Sequence, residues 1–101
     1  MKNLMIIPEI FKSDFVSREA GERLRILLSE SITSKRHTEV DFAHQVIAST
    51  SFLDEGLAKL YLDFSDTEIS AYVSLLNMNT FDADLLHRLK TYRRKERRAL
   101  G

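Results

Sequence analysis

Three consecutive hydroxyl side chains, Ser49-Thr50-Ser51, run straight into Phe52-Leu53-Asp54-Glu55, and no other stretch of this 101-residue chain has comparable chemical potential. Helical spacing begins here, so the hydroxyls fall at a strand-to-helix turn. The free amides and positive dipole end of a helix start favour an anion beside it. Two roles are open to Ser51. It can cap the helix, with Asp54 three residues later completing a capping box, or it can accept a phosphoryl group. Thr50 is a rival acceptor because the cap does not need it, and Ser49 is the third candidate. A phosphate would add about two negative charges, which suits the helix dipole but not Asp54 and Glu55. That carboxylate pair has the residue types for acid–base work. Neighbours on a helix point about 100° apart, however, and cannot converge on one substrate. Capping and dipole complementation fit them better. Phe52, Asp54 and Glu55 are the expected partner-binding residues beside the hydroxyls.

Other chemistries find little support. The chain has no cysteine, which excludes disulfides, thiol catalysis and thiolate metal sites. Its three glycines, Gly21, Gly56 and Gly101, are too scattered for a phosphate loop. His37, His44 and His87 show no metal-ligand spacing, and no nucleophile–base pair or triad stands out. We therefore expect no catalytic set, no metal and no cofactor. Lys and Arg number 15, as do Asp and Glu, so no whole-chain field selects a charged partner. The charge is uneven all the same. A basic run near the C-terminus contains Arg93, Arg94, Lys95, Arg97 and Arg98. It reads first as a solvated helix end complementing the dipole. An acidic protein partner is the second reading. Nucleic acid ranks behind it, because only Tyr92 supplies an interleaved aromatic.

The surrounding pattern must position the hydroxyl turn. Leu4–Ile10 reads as a short edge strand interrupted by Pro8, and residues 12–16 as a connector. Ser17 caps a first helix carrying Ala20, Leu24, Leu27 and Leu28 on one face. Gly21 inside that helix costs about 1 kcal/mol against alanine, which suggests close packing on a sheet. Residues 38–43 and Val46-Ile47 form a second strand, Phe52–Phe64 a second helix, and Ile69–Met78 a third strand. A last helix starts near Phe81, and its end over residues 93–101 is expected to fray. Alternating strands and helices in a βαβαβα order imply an α/β domain over residues 1–101, with a mainly parallel or mixed sheet and helices packed against it. Three strands are few, so a further edge strand or a homodimer contact should complete the sheet. The N-terminal apolar run is too short for a signal peptide and no run spans a bilayer, so a cytoplasmic location is expected.

Val40-Asp41-Phe42, a short gap, Val46-Ile47 and then Ser49-x-Ser51-Phe52-x-Asp54-Glu55 resemble the signature of the STAS-like domain family. That family is related to the STAS domains of anti-sigma factor antagonists. The resemblance extends to Ser17-Arg18-Glu19-Ala20-Gly21 at the first helix and Leu75-Leu76-Asn77-Met78 before the last. It implies a small regulatory domain, not an enzyme, that acts by binding another protein. It further implies that a serine or threonine at the start of the helix after the "Asp" strand is phosphorylated. The implied partner is an ATPase of the histidine-kinase-like fold. By position, the matching hydroxyls are Thr50 and Ser51. The chain departs from the antagonists in carrying Ser49-Thr50-Ser51-Phe52 where they carry Asp-Ser-Ser-Gly. A nucleic-acid-binding accessory role for the basic C-terminal helix is the alternative.

Overall fold

The computed structural model describes residues 3–11 and 16–100. Short runs of β-formers become β1 (Asn3–Ile6), β2 (Thr38–Asp41) and β3 (Val73–Leu76). They make one sheet in the order β1-β2-β3, each pair parallel, with Met5 opposite Val40 and Val40 opposite Leu75. Parallel neighbours require long crossovers, usually helical. Here α1 (Ile7–Phe11) and α2 (Arg18–Thr33) join β1 to β2. Between β2 and β3 lie α3 (Thr50–Leu53), a π-helical segment (Asp54–Ala58), α4 (Leu60–Asp63) and α5 (Asp66–Tyr72). The long α6 (Thr80–Leu100) follows β3. The fold is thus mixed α/β with a small parallel sheet. No helix of the described residues is long and apolar enough to cross a membrane.

One face of the sheet carries the core. Thr38 and Val40 on β2 are buried, whereas Glu39 and Asp41 between them are half-buried. Leu4, which shares the outer face with Glu39, is 57% exposed. The inner face meets Ile7, Leu24, Leu28, Phe42, Phe52 and Leu53, all fully buried. Such burial is the main stabilising term in a chain of this size.

Several expectations are corrected. The first strand ends at Ile6, and Pro8 sits in the first turn of α1, where a missing N–H breaks no helix bond. The second strand stops at Asp41, which leaves Val46 and Ile47 in a loop. Residues 69–72 are helical. The Ser65 hydroxyl accepts from the Glu68 amide (3.1 Å), and the Glu68 carboxylate accepts from the Ser65 amide (2.9 Å). That capping box starts α5 and defers the strand to Val73. The last helix starts at Thr80 and remains helical to Leu100. Among the described residues the sheet has three strands and no fourth. Residues 12–15 of the expected connector lie outside the described residues. As expected, Ser17 caps α2, its hydroxyl accepting from the Ala20 amide at 3.1 Å.

Gly21 has a different role from the one expected. It packs against the π segment, not the sheet. A Cβ at Gly21 would lie 2.8 Å from the Phe52 carbonyl oxygen and 2.9 Å from the Glu55 Cβ. A Cβ at Gly56 would lie 3.2 Å from the Gly21 carbonyl oxygen. The two glycines let α2 and the π segment touch backbone to backbone. Gly21→Ala should therefore lower the unfolding free energy by about 1–3 kcal/mol through overpacking. The loss should persist despite alanine's intrinsic helical advantage of about 1 kcal/mol. Urea denaturation would show it as a lower midpoint at unchanged m value. An unchanged or higher midpoint would mean the contact is not this close.

Candidate functional site

Ligands of open parallel sheets gather beyond the carboxyl ends of the strands. Here that edge holds the loop of residues 42–49, the start of α3 and the β3–α6 turn. Four non-glycine residues at this edge have left-handed backbone: Ala43 (φ 51°), His44 (60°), Ala48 (49°) and Asn77 (57°). Each conformation costs about 1–2 kcal/mol for an L-residue, so the surroundings must impose it. The Asp41 carboxylate accepts from the Ala43 amide (2.7 Å) and the Asn77 side chain (2.9 Å). Those bonds, Asn77's first, hold the Asp41 carboxyl below the usual aspartate range, and His44 adds to the effect. Asp82, fully buried at the start of α6, accepts from the Ile47 amide (2.7 Å), the Ala48 amide (2.8 Å) and the Asn79 side chain (2.8 Å). The loop leading to the hydroxyls is thus pinned from both β2 and α6.

The cap is Ser49, not Ser51. Its backbone is extended, and its hydroxyl accepts from the Phe52 amide (3.1 Å) while donating to the Val16 carbonyl (2.5 Å). The helix consequently begins at Thr50, two residues earlier than expected, and Asp54 closes α3 at its C-terminal end instead of completing an N-terminal capping box. Thr50 is exposed and Ser51 half-buried. The Ser51 hydroxyl lies 3.5 Å from the Arg18 guanidinium, at the outer edge of hydrogen-bonding range.

Phe52, Asp54 and Glu55 do not form the expected outer surface. Phe52 is fully buried, its ring edge-on to Phe11 with centroids 5.8 Å apart. Asp54 and Glu55 are only 8% and 5% exposed. They sit in the π segment, where the Lys59 amide donates to the Asp54 carbonyl five residues back (2.9 Å). The angular spread of helix neighbours sends the two carboxylates to different helices. Glu55 pairs with Arg18 of α2 and with Lys59 (2.6 Å), with Arg25 at 3.7 Å. Asp54 receives a forked pair of bonds from Arg93 of α6, Nε at 2.9 Å and Nη2 at 2.5 Å. Burial alone would raise the Glu55 carboxyl, but the bonds from Lys59 and Arg18 outweigh it and hold the group below the usual glutamate range. The Arg93 guanidinium is driven further above its already high value, chiefly by Asp54.

The basic run divides accordingly. Arg93 faces inward onto Asp54 and Glu96. Arg94 pairs with Asp66 (2.8 Å) and lies over the Tyr61 ring, 4.8 Å from its centroid. Lys95, Arg97 and Arg98 are exposed. His37 is held by Ser74 (2.9 Å) and the Ala71 carbonyl (3.2 Å). Among the described residues no three His, Asp or Glu side chains converge as metal ligands. Sequence reasoning assigned no role to Arg18 or Asp82. Asn79 three residues before Asp82 is a helix-start signal that marks the latter, and the Asn79 side chain does accept from the Asp82 amide (2.9 Å). Nothing local marks Arg18, whose partners lie more than thirty residues away.

Two measurements check this electrostatic frame. Asp54→Ala leaves Arg93 facing a desolvated gap and should destabilise the protein by about 3 kcal/mol. Asp54→Leu combined with Arg93→Met should recover most of that loss, because an apolar pair has no charge to desolvate. Urea midpoints of the single and double variants would show it. For Glu55 the folded-state pKa is depressed, so its stabilising contribution is present above the unfolded value near 4.5 and is lost as pH falls through the lower folded value. Glu55→Gln should be less stable at pH 7 and lose less stability between pH 5 and the acid limit, as followed by thermal melts across pH.

In comparisons with known proteins, no family model, curated protein or solved structure matches the chain.

Proposed function

We propose that the chain is a STAS-like domain of βαβαβα order that regulates a protein partner by binding it. The partner is an ATPase of the histidine-kinase-like fold, and phosphorylation of Thr50 or Ser51 switches the binding. The reading rests on the sequence pattern and on one observation above all. Thr50 and Ser51 head the helix after β2, with Thr50 exposed and the Arg18 guanidinium 3.5 Å from the Ser51 hydroxyl. In the transfer, the hydroxyl oxygen forms a bond to the γ-phosphorus of ATP, its proton leaves to a base of the kinase, and ADP departs.

Two further features favour this reading. Repulsion from Asp54 and Glu55 is weak, because both carboxylates already face cations of α2 and α6. Arginine beside a new phosphate supplies charge-assisted hydrogen bonds. The exposed partner surface would be the hydroxyl corner and the loop of residues 42–49, rather than Phe52. The nucleic-acid alternative has less behind it, since Arg93 and Arg94 are engaged internally and three exposed cations remain at the end of α6.

The test is affinity capture with the full chain as bait, followed by mass spectrometry of the bait and its companions. A phosphate on Thr50 or Ser51 and a co-purifying ATPase are expected. Asp at both positions should change capture of that ATPase about tenfold or more relative to Ala at both. Equal capture by the acidic and alanine variants would end the switch reading.

A further inference from the structure

A cavity away from the hydroxyl corner shares no residue with it. It lies between the π segment, α4, α5, β3 and α6, and has a volume of about 180 Å³. Its walls include Leu57, Ile69 and Leu86, all at most 5% exposed, together with Leu75. Half-buried Tyr61 and Lys90 and the hydroxyl residue Ser70 also line it. The size selects a ligand class. A dry apolar cavity of about 150 Å³ accepts a benzene-sized molecule, whereas drug-sized ligands need about 300–1,000 Å³. A nucleotide therefore does not fit, and a single ring or a short alkyl chain does.

The charge selects the head group. The Lys90 ammonium lies 5.5 Å from the centroid of the Tyr61 ring. Arg94 shares that ring and takes Asp66 as its own ion-pair partner. No carboxylate of the described residues pairs with Lys90. Partial burial pulls the Lys90 ammonium below the usual lysine range and Arg94 adds to the shift, against an opposing pull from Asp66. A partly desolvated cation that no carboxylate contacts directly, with Asp66 acting on it only at longer range, gains more from an anion than from a neutral group. We propose that this cavity binds a small monocarboxylate with a short apolar tail, the tail among Leu57, Ile69 and Leu86 and the carboxylate on Lys90.

The test uses hexanoate and its neutral analogue hexanamide on the full chain, read by methyl NMR. Hexanoate should shift the methyl signals of Leu57, Ile69, Leu75 and Leu86 in a saturable way. Its affinity should exceed that of hexanamide by about tenfold or more, the ordinary advantage of a charge-assisted bond. Lys90→Met should abolish that difference while the same methyls still respond to both compounds. Comparison of the two compounds on the native chain decides the matter even if the variant misfolds. Equal affinity for acid and amide, or no methyl response up to about 10 mM, would overturn the proposal. So would methyl shifts that appear on dilution alone, since they would mean a second copy covers the cavity.

Discussion

Two adjacent buried carboxylates that diverge to different helices constrain how this protein packs. Asp54 and Glu55 are both buried, both charged and one bond apart in sequence. Burying either without a counter-ion would be severely unfavourable. The π turn resolves the conflict by sending Glu55 to the cations of α2 and Asp54 to the guanidinium of α6. The same segment packs backbone to backbone on α2 through Gly21 and Gly56. Buried ion pairs contribute little net stability beside an apolar equivalent. What they add is orientation, because Arg18 and Arg93 meet their partners in the docking of α2 and α6 seen here.

That orientation sets the geometry of the loop at the carboxyl edge of the sheet. Asp82 reaches the Ile47 and Ala48 amides only if α6 starts where it does. The left-handed Ala48 then turns the chain so that Ser49 can cap and Thr50 can open the helix. Strained backbone persists only where the surroundings over-determine it, and such places cluster at functional sites. The four left-handed residues mark this edge as such a place.

Much of this organisation was legible in the residues. The buried face of α2 at Ala20, Leu24 and Leu28, its Ser17 cap and a helix start at the hydroxyls follow from spacing and capping chemistry. Leu27, by contrast, is 37% exposed, and a loop, not a strand end, leads into the hydroxyls. The approximately 100° spread of helix neighbours also foretold that Asp54 and Glu55 could not act together. The misreadings have specific causes. The apolar run of residues 69–78 suits a buried strand or a buried helix equally, and the Ser65–Glu68 capping box, which decides for helix over its first part, was the overlooked local signal. Phe52 shares helical spacing with Leu57 and Leu60, which marks it for the core, and its place in the motif does not make it a partner surface. Arg93 was grouped with its basic neighbours because a run of charge hides which member turns inward. The inward turn of Arg93 depends on a contact across more than thirty residues, and local pattern carries no information on it.

The Arg18 guanidinium connects the buried frame to the exposed corner. It pairs with Glu55 on one side and approaches the Ser51 hydroxyl on the other. A dianionic group on Ser51 would compete for that guanidinium with a carboxylate that cannot leave the interior. Glu55 would retain Lys59, and Arg25 stands within ion-pair distance. The frame therefore tolerates the loss of Arg18 far better than Asp54 would tolerate the loss of Arg93. Under the proposed switch, the surplus of cations around Glu55 lets the surface change charge while the core keeps its packing.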